Sequence, residues 1–148
     1  MGSMTRMIGR WWPSVLVALA GVVFLVGQLV ASNPLVGVAA GGLLLTYAWA
    51  LSPTFFPSSA DLGEARRRAA QGESPVIFWK PGCTYCILLR LKLGVAGRRA
   101  SWVDSSLDEQ ARVVVRSVNG GDHTTPTVIF GEQTRTNPDA AWVRSLLR

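Results

Sequence analysis

The chain contains two cysteines, and they stand three positions apart in Cys83-Thr84-Tyr85-Cys86, directly behind the apolar run Pro75-Val76-Ile77-Phe78-Trp79. On a helix that begins at the first of them, the two sulfurs lie about one turn apart and within disulfide reach. The first sulfur also meets the amides that a helix N-terminus leaves without intrahelical partners, and these favour its thiolate. A strand, a Cys-x-x-Cys turn and a helix therefore set a thiol nucleophile beside a resolving thiol. The bland alternative for such a pair is half of a zinc site. A single histidine, His123, and no second cysteine pair are left to complete four ligands, so redox chemistry is expected and no metal site.

The segments around the motif read as a small α/β unit. Asp61 caps a short helix over 62–70 that Gly72 ends. Val76 to Trp79 is a buried strand, and the helix over 85–95 carries Ile87, Leu88, Leu91 and Val95 on one face. A second strand covers 101–104. Asp108 or Ser106 caps a helix through Val118, with Val114 and Val118 inward, and Gly120-Gly121 ends it. Strands at 127–130 and 133–136 turn through Gly131-Glu132. Asn137-Pro138 opens the last helix, with Trp142, Val143, Leu146 and Leu147 as core candidates. The predicted order is βαβαββα, and the roughly 80 residues it occupies suffice for one modest core.

Apolar residues are segregated rather than mixed through the 148. No charge occurs in 11–31 or in 35–59. Residues 11–30 form a helix of roughly 30 Å, the thickness of a bilayer core. Residues 35–51 reach the short end of the spanning range, and Ser32-Asn33-Pro34 is the tight turn between. The expected organisation is an N-terminal arm at 1–10, a transmembrane hairpin at 11–56 with helices at about 11–31 and 35–52, a linker and short helix at 57–73, and the α/β domain at 74–148. A cleaved signal peptide is the rival for the first segment, but it is longer than a signal core and a second apolar segment follows at once.

Charge orients the hairpin. Arg6 and Arg10 precede it, Arg66-Arg67-Arg68 follow it, and the turn carries none, so both termini and the catalytic domain are expected on the cytoplasmic side of the cell membrane. The net charge of +6 beside a membrane suits anionic lipid better than nucleic acid, for which no basic-aromatic alternation speaks. Arg90, Lys92, Arg98 and Arg99 read as a solvated helix side able to steer an anionic thiol or phospholipid. Gly37 and Gly41 make a G-x-x-x-G spacing that points to a homodimer through the hairpin.

From Ser74 onward the chain resembles the glutaredoxin family, and within it the mycoredoxin branch, which serves mycothiol. The residues that carry the likeness are Lys80-Pro81-Gly82-Cys83-Thr84-Tyr85-Cys86, Ser117-Val118-Asn119-Gly120-Gly121, Thr124-Thr125-Pro126-Thr127-Val128 and Thr136-Asn137-Pro138. The resemblance implies a thioredoxin-like fold with a four-stranded mixed sheet. It further implies Cys83 as nucleophile, aided by Lys80, with Cys86 as the resolving thiol. Pro126 would be cis and face Cys83, Thr125 would offer its backbone to the substrate thiol, and Lys80, Tyr85, Thr136 and Asn137 would line the thiol site.

Three positions depart from the family. Thr84 replaces a proline, a change that in relatives sometimes accompanies a [2Fe-2S] cluster on the nucleophilic cysteine. His123 stands where many relatives have arginine. Asp139 follows Asn137-Pro138 in place of a Gly-Gly-Asp anion site, which favours mycothiol over glutathione as co-substrate. The expected partners are this small thiol, oxidised proteins including membrane-bound ones, and the lipid bilayer. Cluster carriage and general protein-disulfide reduction are the rival functions.

Overall fold

The computed structural model describes residues 2–147, with side chains from residue 9 onward. The chain forms two compact units, 1–56 and 57–148.

The first unit pairs α1 (Gly2–Val30) with α2 (Pro34–Leu51). Helix α1 begins well before the predicted 11, so the two N-terminal arginines lie on the helix rather than on an irregular arm, and Pro13 sits inside it. Ser32 turns the chain at φ 59°, Asn33 N–H donates to the Gln28 carbonyl at 2.8 Å, and Pro34 opens α2 at the position where its missing N–H costs least. Gly9–Val30 and α2 are long and apolar enough to cross a membrane, and their outward side chains, such as Val23, Val30 and Leu43, are exposed. Gly37 and Gly41 are buried against α1: a Cβ on Gly37 would meet Gln28 Cβ at 2.9 Å, and one on Gly41 would meet Leu25 Cβ at 3.0 Å. The two glycines close the hairpin itself, so the homodimer expectation loses the residues on which it stood.

The second unit runs α3 (Leu62–Ala70), β1 (Val76–Trp79), α4 (Thr84–Leu93), β2 (Ser101–Asp104), α5 (Glu109–Val118), β3 (Thr127–Phe130), β4 (Gln133–Thr136) and α6 (Ala140–Ser145). The sheet order is β2-β1-β3-β4, with β1 parallel to β2 and antiparallel to β3, and β4 antiparallel to β3. This is a thioredoxin-like fold. Strand β1 is central and covered on both faces, which is why all four of its residues are apolar and buried. Side chains alternate across it: Val76 and Phe78 join Val103, Leu62, Ala65, Ala69, Ala111 and Val115 in a core under α3 and α5. Ile77 and Trp79 therefore face the opposite side.

Carboxylates start three of the helices. Asp61 accepts from Glu64 N–H, Asp108 from Gln110 and Ala111 N–H, and Asp139 from Ala141 N–H. The last helix thus begins at Ala140, with Asn137-Pro138 ahead of the cap rather than in its first turn. Helix α4 ends at Gly94, whose φ of 54° only glycine adopts readily, and a 3-10 segment over 94–99 replaces the predicted last turn.

One predicted helix face is displaced and a second is displaced in part. On α4 the buried residues are Cys86, Ile87, Leu89 and Leu93, while Leu88, Leu91 and Val95 are exposed. Leucines at 88, 89, 91 and 93 satisfy two apolar stripes equally well, and the inward direction of Cys86 selects the one at 86, 89 and 93. On α5 the buried residues are Ala111 and Val115; Val114 packs half-buried against the same core, as expected, while Val118 is exposed. The small side chain at 111 lets that helix approach the sheet closely. Leu89→Ala is expected to destabilise the full chain by about 2–5 kcal/mol in urea unfolding, whereas Leu91→Ala changes it by less than about 0.5. Equal costs would reject this helix register.

Candidate functional site

The site is built where β1 hands the chain to α4. Residues 80–83 make the turn, with Gly82 at φ 75°, and Cys83 is the N-cap of α4. Its sulfur takes the place of a capping oxygen and accepts the Cys86 N–H at 3.2 Å. One turn of helix brings Cys86 back beside it, and the two form a disulfide with a Cα–Cα distance of 5.2 Å. The two sulfurs differ in access. Cys83 is 8% exposed and Cys86 is 0% exposed.

The opposite wall comes from the loop before β3. The Thr125-Pro126 peptide bond is cis, as the resemblance implied. The Thr125 carbonyl oxygen lies 3.3 Å from Cys83 Sγ, a contact that the reduced thiol makes as donor, and the Thr125 hydroxyl donates to the same sulfur at 3.5 Å. Asn137 N–H donates to the Pro126 carbonyl at 2.8 Å, which ties the start of the 137–139 segment to this loop.

A polar chain holds the loop from behind. Lys80 Nζ donates to the His123 carbonyl at 3.2 Å, so its ammonium is engaged on the loop rather than on a sulfur. Ser105 donates both its N–H and its hydroxyl to the Trp79 carbonyl, at 2.9 Å each. With the hydroxyl proton so committed, Ser105 Oγ accepts from His123 Nε2–H, 2.8 Å away, which fixes the neutral ring as the ε tautomer. The ends of β1 and β2 and the loop carrying Thr125 are thereby joined in one network.

A groove of about 360 Å³ is lined by Tyr85, which precedes Cys86, and Pro126, which follows Thr125, together with Leu88, Lys92, Asn137 and Pro138 among others. Tyr85 is 65% exposed and available as its wall. Asn137 takes φ 47° at its rim. Thr136 is not part of it: its hydroxyl donates to Asn119 Oδ1, while Asn119 Nδ2 donates to Val115 O and Thr127 Oγ1. The Thr136 of the predicted thiol site is thus a structural residue that locks β4 to α5. Sequence reasoning missed Ser105, legible only as one of several serines after a strand, and Pro138 and Leu88 as groove residues. Among the described residues no three of His, Cys, Asp and Glu cluster as metal ligands. The alternative of a [2Fe-2S] cluster shared between two copies of the chain would take one sulfur from each, and Cys83 is the sulfur with an exposed edge.

Two proteins of Mycobacterium tuberculosis, "Putative glutaredoxin Rv3198A" of strain H37Rv and "Putative glutaredoxin MT3292" of strain CDC 1551, are each 40% identical to this chain over 74 residues. The aligned stretch covers 48% of this chain and 86% of theirs. The chain belongs to the glutaredoxin family. No family model matches it, and no solved structure does. With a Cys83-Cys86 disulfide at a helix start opposite a cis-proline loop, this glutaredoxin is a thiol-disulfide oxidoreductase: the pair takes up two electrons and two protons on reduction and returns them on oxidation.

Burial, and then the charges of Lys80, Arg112 and Arg116, push the His123 pKa below its ordinary 6.5, with Asp104 opposing weakly. The folded chain therefore binds this proton less readily than the unfolded one. The stability it confers is present above about pH 6.5 and is lost as pH falls through the lowered folded value. The urea midpoint is expected to drop more steeply from about pH 7.5 to about pH 5 in the wild-type chain than in His123→Gln. Parallel pH profiles would show that the ring does not resist protonation.

Proposed function

We propose that this glutaredoxin is a membrane-anchored enzyme that removes a low-molecular-weight thiol, mycothiol in preference to glutathione, from protein mixed disulfides. The observation that carries the assignment of roles is the difference in access between the two sulfurs at the start of α4. Cys83, the N-cap, has the exposed edge, the Cys86 N–H and the Thr125 hydroxyl as hydrogen-bond donors. Those groups favour its thiolate.

The thiolate of Cys83 attacks the small-thiol sulfur of the mixed disulfide. That S–S bond breaks, the protein leaves as a thiolate that takes up a proton, and a new disulfide joins Cys83 to the small thiol. A second small thiol, attacking as thiolate, then releases the symmetrical small-thiol disulfide and regenerates Cys83. In the two-cysteine branch Cys86 loses its proton and attacks Cys83 Sγ instead, expelling the small thiol and forming the internal disulfide; two electrons from an external dithiol or reductase reopen it. Thr125 offers its backbone to the incoming thiol's peptide-like arm, and Tyr85, Pro126 and Asn137 support its body. Lys80 acts through the loop.

The preference for mycothiol rests on the groove. Among the described residues its one cation is Lys92, and its one carboxylate, Asp139, is committed to the Ala141 N–H as the cap of α6. Such a surface suits a neutral, hydroxyl-rich thiol better than glutathione with its two carboxylates.

Two apolar helices bearing arginines on the outer side of each end support a two-pass anchor with both termini and the catalytic unit in the cytoplasm. Confinement to the membrane raises the effective concentration toward membrane-bound oxidised clients.

Turnover of a mycothiol-protein mixed disulfide is expected to fall to background in Cys83→Ser and to persist at about one-tenth of wild type or more in Cys86→Ser. Equal survival of both variants would refute the assigned roles, and insulin reduction indifferent to mycothiol would favour a general protein-disulfide reductase. For sidedness, a membrane-impermeant maleimide is expected to label reduced Cys83 only after cells are opened. Labelling in intact cells would place the domain outside.

A further inference from the structure

Thr125 meets the Cys83 sulfur with two polar groups of opposite effect. Its carbonyl oxygen lies 3.3 Å from Sγ and accepts from the protonated thiol, and its hydroxyl donates to the same sulfur at 3.5 Å. The first contact favours the thiol. The second favours the thiolate, since an ionised acceptor takes the stronger hydrogen bond. Hydrogen bonds weaken steeply with distance and angle, so what Thr125 does to the sulfur depends on where its loop is held.

Two bonds from His123 hold the loop just before Thr125. The His123 carbonyl accepts from Lys80 Nζ at 3.2 Å, and the ring donates Nε2–H to Ser105 Oγ, 2.8 Å away. An ammonium on a flexible four-carbon stem follows a carbonyl that shifts. The ring bond has a fixed anchor instead. Ser105 is fully buried just past the end of β2, and it donates both its N–H and its hydroxyl to the Trp79 carbonyl at 2.9 Å. Trp79 is the last residue of β1, from which the turn to Cys83 departs.

One oxygen atom thus ties the strand that delivers the sulfur to the loop that delivers Thr125. The backbone N–H of any residue at 105 would satisfy the Trp79 carbonyl, so the hydroxyl is redundant for the sheet. A buried hydroxyl costs free energy unless it is bonded, and this one is bonded on both sides. Its second bond is the one to His123, whose ring burial and the neighbouring cations keep neutral.

We propose that Ser105 and His123 are positioning residues for the thiol-disulfide exchange: their hydrogen bond fixes the Thr125 loop against the end of β1 and so sets how strongly the Thr125 hydroxyl stabilises the ionised Cys83 sulfur. Both act through Thr125, not on the sulfur. The proposal rests on Cys83 as the attacking sulfur.

The test uses the full chain in detergent micelles with Cys86→Ser, which leaves Cys83 as the one thiol, and reads the rate constant of its alkylation by iodoacetamide at pH 7. Thr125→Val removes the hydroxyl and keeps the carbonyl, and is expected to slow alkylation about threefold or more. With Ser105→Ala or His123→Leu already present, the same change at 125 is expected to slow it less than about 1.5-fold, because coupled residues are non-additive. His123→Gln keeps an N–H for Ser105 Oγ and is expected to restore the full factor. A merely structural role would lower stability without moving that ratio. The two histidine variants leave Ser105 on Trp79, so they carry the test even where Ser105→Ala does not fold. Equal slowing by Thr125→Val in every background, no slowing in the parent, or a His123→Gln background that behaves as His123→Leu would overturn the positioning role alone. A Cys83 thiol inert to iodoacetamide in the folded parent would overturn the attacking-sulfur assignment and the positioning role with it.

Discussion

Cys83 has to serve as the cap of a helix and as one end of a disulfide, and the architecture of the second unit follows from that double duty. As cap it must leave helical geometry, at φ −89° and ψ 102°, so that its sulfur points back at the Cys86 amide. As disulfide partner it needs Cys86 one turn away on the inward face. Those two demands set the rotation of α4 about its axis. Once Cys86 points inward, Leu89 and Leu93 follow it into the core by helical period, and Leu88 and Leu91 are carried outward. The same rotation puts Tyr85 and Leu88 on the groove that Pro126 and Asn137 also line.

The sheet supplies the fixed frame. Strand β1 is buried on both faces between β2 and β3, and its C-terminal end delivers the turn that carries Cys83. Because β3 runs antiparallel to β1, its N-terminal end arrives at the same edge, bringing Thr125 and Pro126 to the sulfur across 42 residues of sequence. Ser105, at the end of β2, closes the arrangement through Trp79 and His123. A neutral imidazole suits that place. It donates one hydrogen bond to a committed hydroxyl oxygen without adding a positive charge beside Lys80, Arg112 and Arg116.

In the first unit the governing constraint is close approach. Gly21, Gly37 and Gly41 leave room for side chains of the facing helix, and a Cβ at any of them would fall within 3.1 Å of a neighbouring Cβ. Packing of this kind needs no water to drive it, as suits helices whose outer faces are apolar and exposed.

The sequence by itself determined what depends on neighbours within a turn or a strand. The element order and nearly all the boundaries in the second unit, the caps at Asp61 and Asp108, the Gly131 turn, the two apolar segments and the Cys-x-x-Cys at a helix start were all legible, because capping, glycine conformation and apolar run length act locally. Only the tertiary structure decided which stripe of α4 and α5 faces the sheet, since clustered leucines and valines allow more than one. It also turned Thr136 toward Asn119 and away from the groove, and gave His123 its tautomer through Ser105. Each of those outcomes joins residues far apart in the chain. Their distances depend on the order and direction of the strands, which no local pattern encodes.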